Sequence, residues 1–267
     1  MWQCCVICRC TPPRKVDQVA EQSYRETFSR DISAVRYDEI VYATASSADL
    51  LWQAEYRVLR PLAAGALKGK VATEYLDFAC GTGRVLASLE DLATHAVGVD
   101  VSQPMLDRAR RRCSKATLVR ADITGTNASP AGQYDLITAF RFLTNAEPAL
   151  RSAALAALHA CLKDDGTLLI NSHGNPWSYR LLLLPYHWLK DKLAGRPLFG
   201  YLSNREAHRL LRAAGFRVEA TIGMGFVPQK LLPLLGTRMA GRIESRLARV
   251  PVVRQFGLNQ LFLCRKA

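Results

Sequence analysis

Between residues 72 and 171 the chain keeps switching between two hydrophobic periods, and no other feature narrows its fold so far. Short β-rich apolar runs occupy 72–79, 96–101, 116–119, 134–140 and 166–171. Helix-like stretches intervene at 84–92, 103–113 and 148–162, the second with Ser102 as a plausible N-cap and Pro104 in its first turn. Strands spaced by helices of about ten residues form βαβ units, and these build a mostly parallel sheet with helices on its faces. Beyond residue 171 the rhythm changes. Residues 177–193 are apolar and aromatic, and Pro185 interrupts any helix there. Ser203 to Glu206 make a capping-box pattern that opens a helix to Ala214, which Gly215 closes. A strand is expected at 216–223, one or two basic helices at 230–250, and a last strand at 258–264. Residues 17–66 read as helical, with Leu50, Leu51, Tyr56, Leu59 and Leu62 near helical spacing.

At 267 residues the chain suits one domain with additions. Its 49% apolar and 22% charged residues exclude a disordered chain or a fibre. The longest apolar runs, such as Leu181 to Leu184, fall far short of the ~20 residues that span a bilayer, so no transmembrane helix is expected. Lys and Arg total 36 against 23 Asp and Glu, a net charge of +13. Residues 177–267 hold 16 basic and 4 acidic side chains, +12, whereas residues 1–176 are balanced to +1. Such asymmetry fits an anionic partner (nucleic acid, lipid surface or acidic substrate) or else a solvated Arg-rich surface. Of 8 cysteines, Cys4, Cys5, Cys8 and Cys10 crowd the start and the rest are scattered, which is not the spacing of a disulfide scaffold. The opening also lacks the apolar core of a signal peptide, so a cytosolic compartment is expected. Cys5-x-x-Cys8 has no second pair at zinc spacing, and no metal site is expected. The N-terminal cysteines read as a loose tail over residues 1–16, or as lipid acceptors.

Chemistry concentrates in Tyr75-Leu76-Asp77-Phe78-Ala79-Cys80-Gly81-Thr82-Gly83-Arg84, a loop of small residues between the first strand and the next helix. Glycines let a ligand approach the backbone, and the helix N-terminus supplies free N–H groups. A dinucleotide fold uses the same place for pyrophosphate, yet its third glycine falls on Leu86, which weakens that reading. Asp100 ends the second strand, where a carboxylate can take both hydroxyls of a ribose, and Asp122 follows the third, where one can take an adenine amine. Either is also explained as a helix cap in a βα loop.

This combination resembles the class I S-adenosylmethionine-dependent methyltransferases over about residues 70–267. Asp77 to Gly83 is similar to that family's first motif, with Ala79 where a glycine is usual. Asp100, with Val101 beside it in GVDVSQPML, matches the ribose-binding acid, and Asp122 with Ile123 in VRADIT matches the adenine-contacting pair. Phe140 and Arg141 fall where the family lines the passage from cofactor methyl to acceptor, and Arg141 is counted with the catalytic set. Tyr37 and Tyr42, in RYDEIVY, resemble the segment that such enzymes fold over the cofactor. The resemblance implies S-adenosyl-L-methionine as cofactor. It also implies a Rossmann-like three-layer α/β sandwich with a seven-stranded, mostly parallel sheet, an antiparallel last strand, a helical arm at 17–66 and a catalytic domain at 67–267. Lid inserts over the acceptor are expected at about 177–202 and 226–256, with core-packing helices as the simpler account of both.

Enzymes of this family that methylate base amines carry an Asn/Asp-Pro-Pro-aromatic motif after the fourth strand. Here that place reads Ala139 to Asn145, and Asn175-Pro176-Trp177 comes one strand too late. Nucleic acid therefore ranks behind a small-molecule, lipid or glycan acceptor methylated on oxygen, with an anionic membrane surface as a further partner. A silent methyltransferase-like scaffold is the non-enzymatic alternative. His173, in Asn171-Ser172-His173-Gly174-Asn175 past the fifth strand, is the candidate general base for a hydroxyl, or else a histidine that only holds its loop.

Overall fold

The computed structural model describes residues 47–124, 132–179, 181, 201–228, 231–248 and 250–267. The cysteine tail, most of the arm including Tyr37 and Tyr42, and most of the 177–202 insert lie outside them. In chain order the elements are α1 (Ser47–Leu67), β1 (Glu74–Phe78), α2 (Arg84–Leu89), β2 (His95–Asp100), α3 (Gln103–Arg112), β3 (Thr117–Arg120), β4 (Tyr134–Ala139), α4 (Pro148–Cys161), β5 (Leu162–His173), α5 (Asn204–Ala213), β6 (Phe216–Met224), α6 (Leu232–Leu247) and β7 (Asn259–Lys266). The seven strands form one sheet in the order β3-β2-β1-β4-β5-β7-β6. Neighbours from β3 to β5 pair in parallel, and β7 runs antiparallel to both β5 and β6. The expected mixed sheet with an antiparallel last strand is thus present.

Alternation along the strands makes the three layers. Leu76, Ile137, Leu168 and Phe262 point to one face, where Leu155 and Leu158 of α4 and Ala207 and Leu211 of α5 cover them. Their neighbours Tyr75, Leu136, Leu169 and Leu261 point to the other, under Leu59 and Ala63 of α1 and Leu86 and Leu89 of α2. Covered on both faces, β4 is buried along its whole length.

Caps and breaks follow the local signals. Ser102 accepts the Met105 amide at the start of α3, and Ser203 and Glu206 complete the capping box of α5. The helix expected at 84–92 divides into α2 and a 3-10 turn, Glu90–Leu92, because the buried Glu90 carboxylate turns away to accept the backbone amides of Ser114, Lys115 and Ala116. Strand β5 starts at Leu162 rather than Gly166, since Leu162 pairs with Tyr134 ahead of a register shift. In α6, Gly236 breaks the helical path with φ 68° and ψ 159°.

Candidate active site

After β1 the chain turns into α2 through three left-handed positions: Ala79 at φ 52°, Gly81 at 54° and Gly83 at 74°. Hydrogen bonds from the Cys80 amide to the Val99 carbonyl (3.0 Å) and from the Gly83 amide to the Cys80 carbonyl (2.9 Å) hold the turn. The two glycines answer different needs. A Cβ on Gly83 would lie 2.9 Å from that of Ala109, so this glycine lets α2 pack on α3. A Cβ on Gly81 would meet nothing within 4 Å, so its bare backbone faces open space. Ala79 holds a conformation that favours glycine, the physical reason for the residue usual there.

That space is a cavity of about 310 Å³ at the carboxyl ends of the strands. Asp77, Ala79 and Gly81 line it from the first loop, Asp100 and Val101 from the end of β2, and Asp122 and Ile123 from beyond β3. Phe140 and Arg141 follow β4, and His173 ends β5. Gly83 stands behind the loop, outside the lining. Open α/β sheets collect ligands at this edge. No described residue of 177–202 or 226–256 reaches the cavity; α6 instead contacts α1. Among the described residues no cluster of His, Cys, Asp or Glu is placed to hold a metal ion.

Asp77 is buried with an incomplete set of partners. Its Oδ1 accepts the Thr138 hydroxyl at 2.6 Å, and Tyr75 donates its own hydroxyl to Thr138 at 2.8 Å. Its Oδ2 has no hydrogen bond of regular geometry. Burial pushes this carboxyl up to about 7, against the Thr138 hydroxyl and the Leu86 amide, which favour its charge. Asp100 is raised by burial too, less completely because the Ser102 and Gly81 amides donate to it at 2.9 and 2.8 Å. Its carboxylate therefore pins the glycine loop. Asp122 turns one oxygen onto the amide and hydroxyl of Thr124, at 3.0 and 2.6 Å.

Arg141 is also left-handed, at φ 59°. Its amide donates to Asn171 (2.6 Å) and its guanidinium to Glu55 (3.0 Å). Glu55, 1% exposed on α1, accepts as well from the side-chain amides of Asn171 (3.3 Å) and Asn259 (2.6 Å). This buried carboxylate ties α1 to the ends of β4, β5 and β7 and lines the cavity beside Trp52, over whose ring the Arg84 guanidinium lies at 5.9 Å. Neither Glu55 nor Trp52 is singled out by sequence reading. The signal is present, however: Glu55 falls four residues before Leu59 and eight before Ala63, on the buried stripe of α1. His173 is fixed by the Thr144 hydroxyl, 2.8 Å from Nδ1 and 3.3 Å from Nε2.

Comparison with known proteins gives the family and the fold. The sequence model of a family described as a methyltransferase domain matches residues 51–221. A stretch of 65 residues is 40% identical to the ribosomal protein L11 methyltransferase of Chromobacterium violaceum, covering 24% of this chain and 22% of that protein. The chain thus matches less than a quarter of that relative's length. Among solved structures, the magnesium protoporphyrin IX methyltransferase of Synechocystis with bound S-adenosylhomocysteine superposes at TM-score 0.59 and 14% identity, over 91% of this chain and 97% of that one. The protein solved in complex with the Haloferax volcanii Trm112 methyltransferase activator gives 0.60 and 18% over the same shares. At such identities the likeness is one of fold.

Proposed function

This chain belongs to the methyltransferase-domain family, and we propose that it methylates a hydroxyl oxygen of a small metabolite, a lipid or a glycan. It is a class I enzyme that depends on S-adenosyl-L-methionine. When bound, this cofactor supplies a methyl group already activated by its sulfonium, so the protein's task is alignment and exclusion of water, with positioning worth about 7–11 kcal/mol.

The lining residues fit that group. The Asp77 oxygen that makes no regular hydrogen bond suits an ammonium at the amino-acid end, and Gly81 leaves its backbone open beside it. An ionised carboxylate has about four lone-pair sites, so Asp100 can anchor two amides and still accept ribose hydroxyls, with Val101 alongside. Asp122 and the buried Ile123 suit the adenine end. Phe140 and Arg141 border the way to the acceptor, Glu55 holding the guanidinium in place. Tyr37 and Tyr42 are assigned to cover the cofactor.

His173 takes the acceptor's proton in this reading. This role requires the tautomer that directs Nδ1–H to Thr144 and places the ring's lone pair on Nε2. The observation that carries the proposal is that His173 lines one cavity with Asp77, Asp100 and Asp122. The enzyme is assigned to the cytosol or peripherally to anionic membrane surfaces, the latter supported by the +12 of residues 177–267. Among the described residues no helix is long and apolar enough to cross a membrane.

The test is a screen with radiolabelled cofactor across hydroxylated metabolites, lipids and RNA, followed by His173→Ala with the acceptor found. Turnover should fall at least about a hundredfold with cofactor affinity intact. A loss below about threefold would assign the histidine to its loop, and label transferred to RNA alone would overturn the choice of acceptor.

A further inference from the structure

Helix α5 presents a second constellation, separate from the cofactor cavity. Its capping box sets the start, and residues 205, 208, 209 and 212 then recur at the spacing of one helical face. Ala207 and Leu211 face the core, which leaves Arg205, Arg209 and Arg212 exposed on the outer side, with half-buried His208 between them, edge-on to Phe262. Opposite them, the 3-10 turn Val253–Phe256 contributes Arg254 and β6 contributes Thr221. Together they line a groove of about 570 Å³ that shares no residue with the cofactor cavity. The Asn204 side chain holds the two walls together through the Gln255 carbonyl at 3.2 Å.

Among the described residues no carboxylate lines this groove. Of the acids on these elements, Glu206 is held by Ser203 in the capping box while its charge also acts on Arg209, and Glu219 pairs with Arg217 and Arg265. His208 meets the Thr221 hydroxyl at 3.0 Å, and burial, followed by the Arg212 charge, lowers its pKa, so a neutral ring sits among the guanidiniums. The four arginines are exposed and outnumber the one acid that acts on them, so the groove carries a net positive charge that attracts an anion. Arginine forks match phosphate oxygens two at a time and give up hydration more readily than lysine. The groove is also wider than a lone phosphate needs, leaving room for an organic body.

We propose that this groove is a binding site for a phosphate ester, whose phosphate oxygens are held by Arg205, Arg209, Arg212 and Arg254. The ester is carried either by a soluble metabolite or by a phospholipid headgroup, and two probes separate these sources. Pyrophosphate is titrated by calorimetry, and vesicles of phosphatidic acid in phosphatidylcholine are co-sedimented, each at low and physiological salt. Arg209→Gln/Arg212→Gln removes two groove charges, and Arg242→Gln/Arg246→Gln removes two exposed charges from α6 as the control. The groove variant should weaken the bound probe at least about tenfold and the control less than about threefold, a tenfold loss being about 1.4 kcal/mol. Arg254→Gln, on the opposite wall, should act in the same direction, and unchanged affinity for S-adenosylhomocysteine reports an intact fold. Binding of pyrophosphate supports a soluble ester, and binding of vesicles alone supports a headgroup. Equal weakening by groove and control variants, or no binding of either probe at low salt, overturns the proposal.

Discussion

Asp77→Asn removes a buried charge and alters almost no volume. Burial lifts the wild-type carboxyl from 3.8 to about 7. An acid whose folded pKa exceeds its unfolded value binds more protons folded than unfolded between the two, so stability falls as pH rises from about 4 to about 7 and stays low above that. At about 1.36 kcal/mol per pH unit, the whole fall is on the order of 4 kcal/mol, of which about 3 kcal/mol lies between about pH 5 and pH 8. The variant lacks this slope. It also leaves an amide unpaired at the Oδ2 position, a pH-independent loss of about 1–3 kcal/mol, so the slope rather than the offset is the readout. Urea unfolding at about pH 5 and pH 8 should show the wild type losing about 3 kcal/mol more than the variant over that interval. A bound ammonium favours the ionised carboxylate, so wild-type affinity for S-adenosylhomocysteine should rise between about pH 6 and pH 8 while that of the variant stays flat. Parallel stability profiles in the two proteins would refute the reasoning.

Asp100→Ala should weaken S-adenosylhomocysteine binding by on the order of 2–4 kcal/mol, because the Gly81 and Ser102 amides lose their acceptor along with the ribose hydroxyls. Calorimetry returning wild-type affinity would remove Asp100 from the site. Gly83→Ala should destabilise the fold by about 2–4 kcal/mol in urea, combining a left-handed φ with a Cβ contact to Ala109, and Gly81→Ala by only about 1–2 kcal/mol while it lowers cofactor affinity. Equal stability losses would contradict the division of labour between the two glycines. Glu55→Ala removes the carboxylate that the Arg141 guanidinium and two asparagine amides share and should lower stability by about 3–5 kcal/mol, with Glu55→Gln losing clearly less. Denaturation midpoints that do not separate the two variants would mean the charge on Glu55 is immaterial.

Much of this architecture is legible in local signals. The strands and helices between 72 and 171 follow from periodicity, and the starts of α3 and α5 from Ser102, Ser203 and Glu206, because caps and amphipathic faces are decided within a few residues. The extension of β5 back to Leu162 is not legible, since it depends on a bridge to Tyr134 that no local pattern announces. Nor is the splitting of 84–92, which Glu90 causes by reaching amides 24 to 26 residues away.

In the candidate site, the glycine loop, the acids at the ends of successive strands and the histidine at the end of β5 are legible in the chain, since each sits beside a strand end that periodicity locates. Tertiary structure decided what those groups touch. It turned Asp100 onto the Gly81 amide as well as toward the cavity, left one oxygen of Asp77 with no regular hydrogen bond, and joined Glu55 to Arg141, Asn171 and Asn259 across 86, 116 and 204 residues of chain. The same holds for the groove that faces Arg254 toward α5. Sheet order sets which distant segments become neighbours, and with β7 inserted between β5 and β6 that order follows from packing of the whole sheet rather than from any stretch of it.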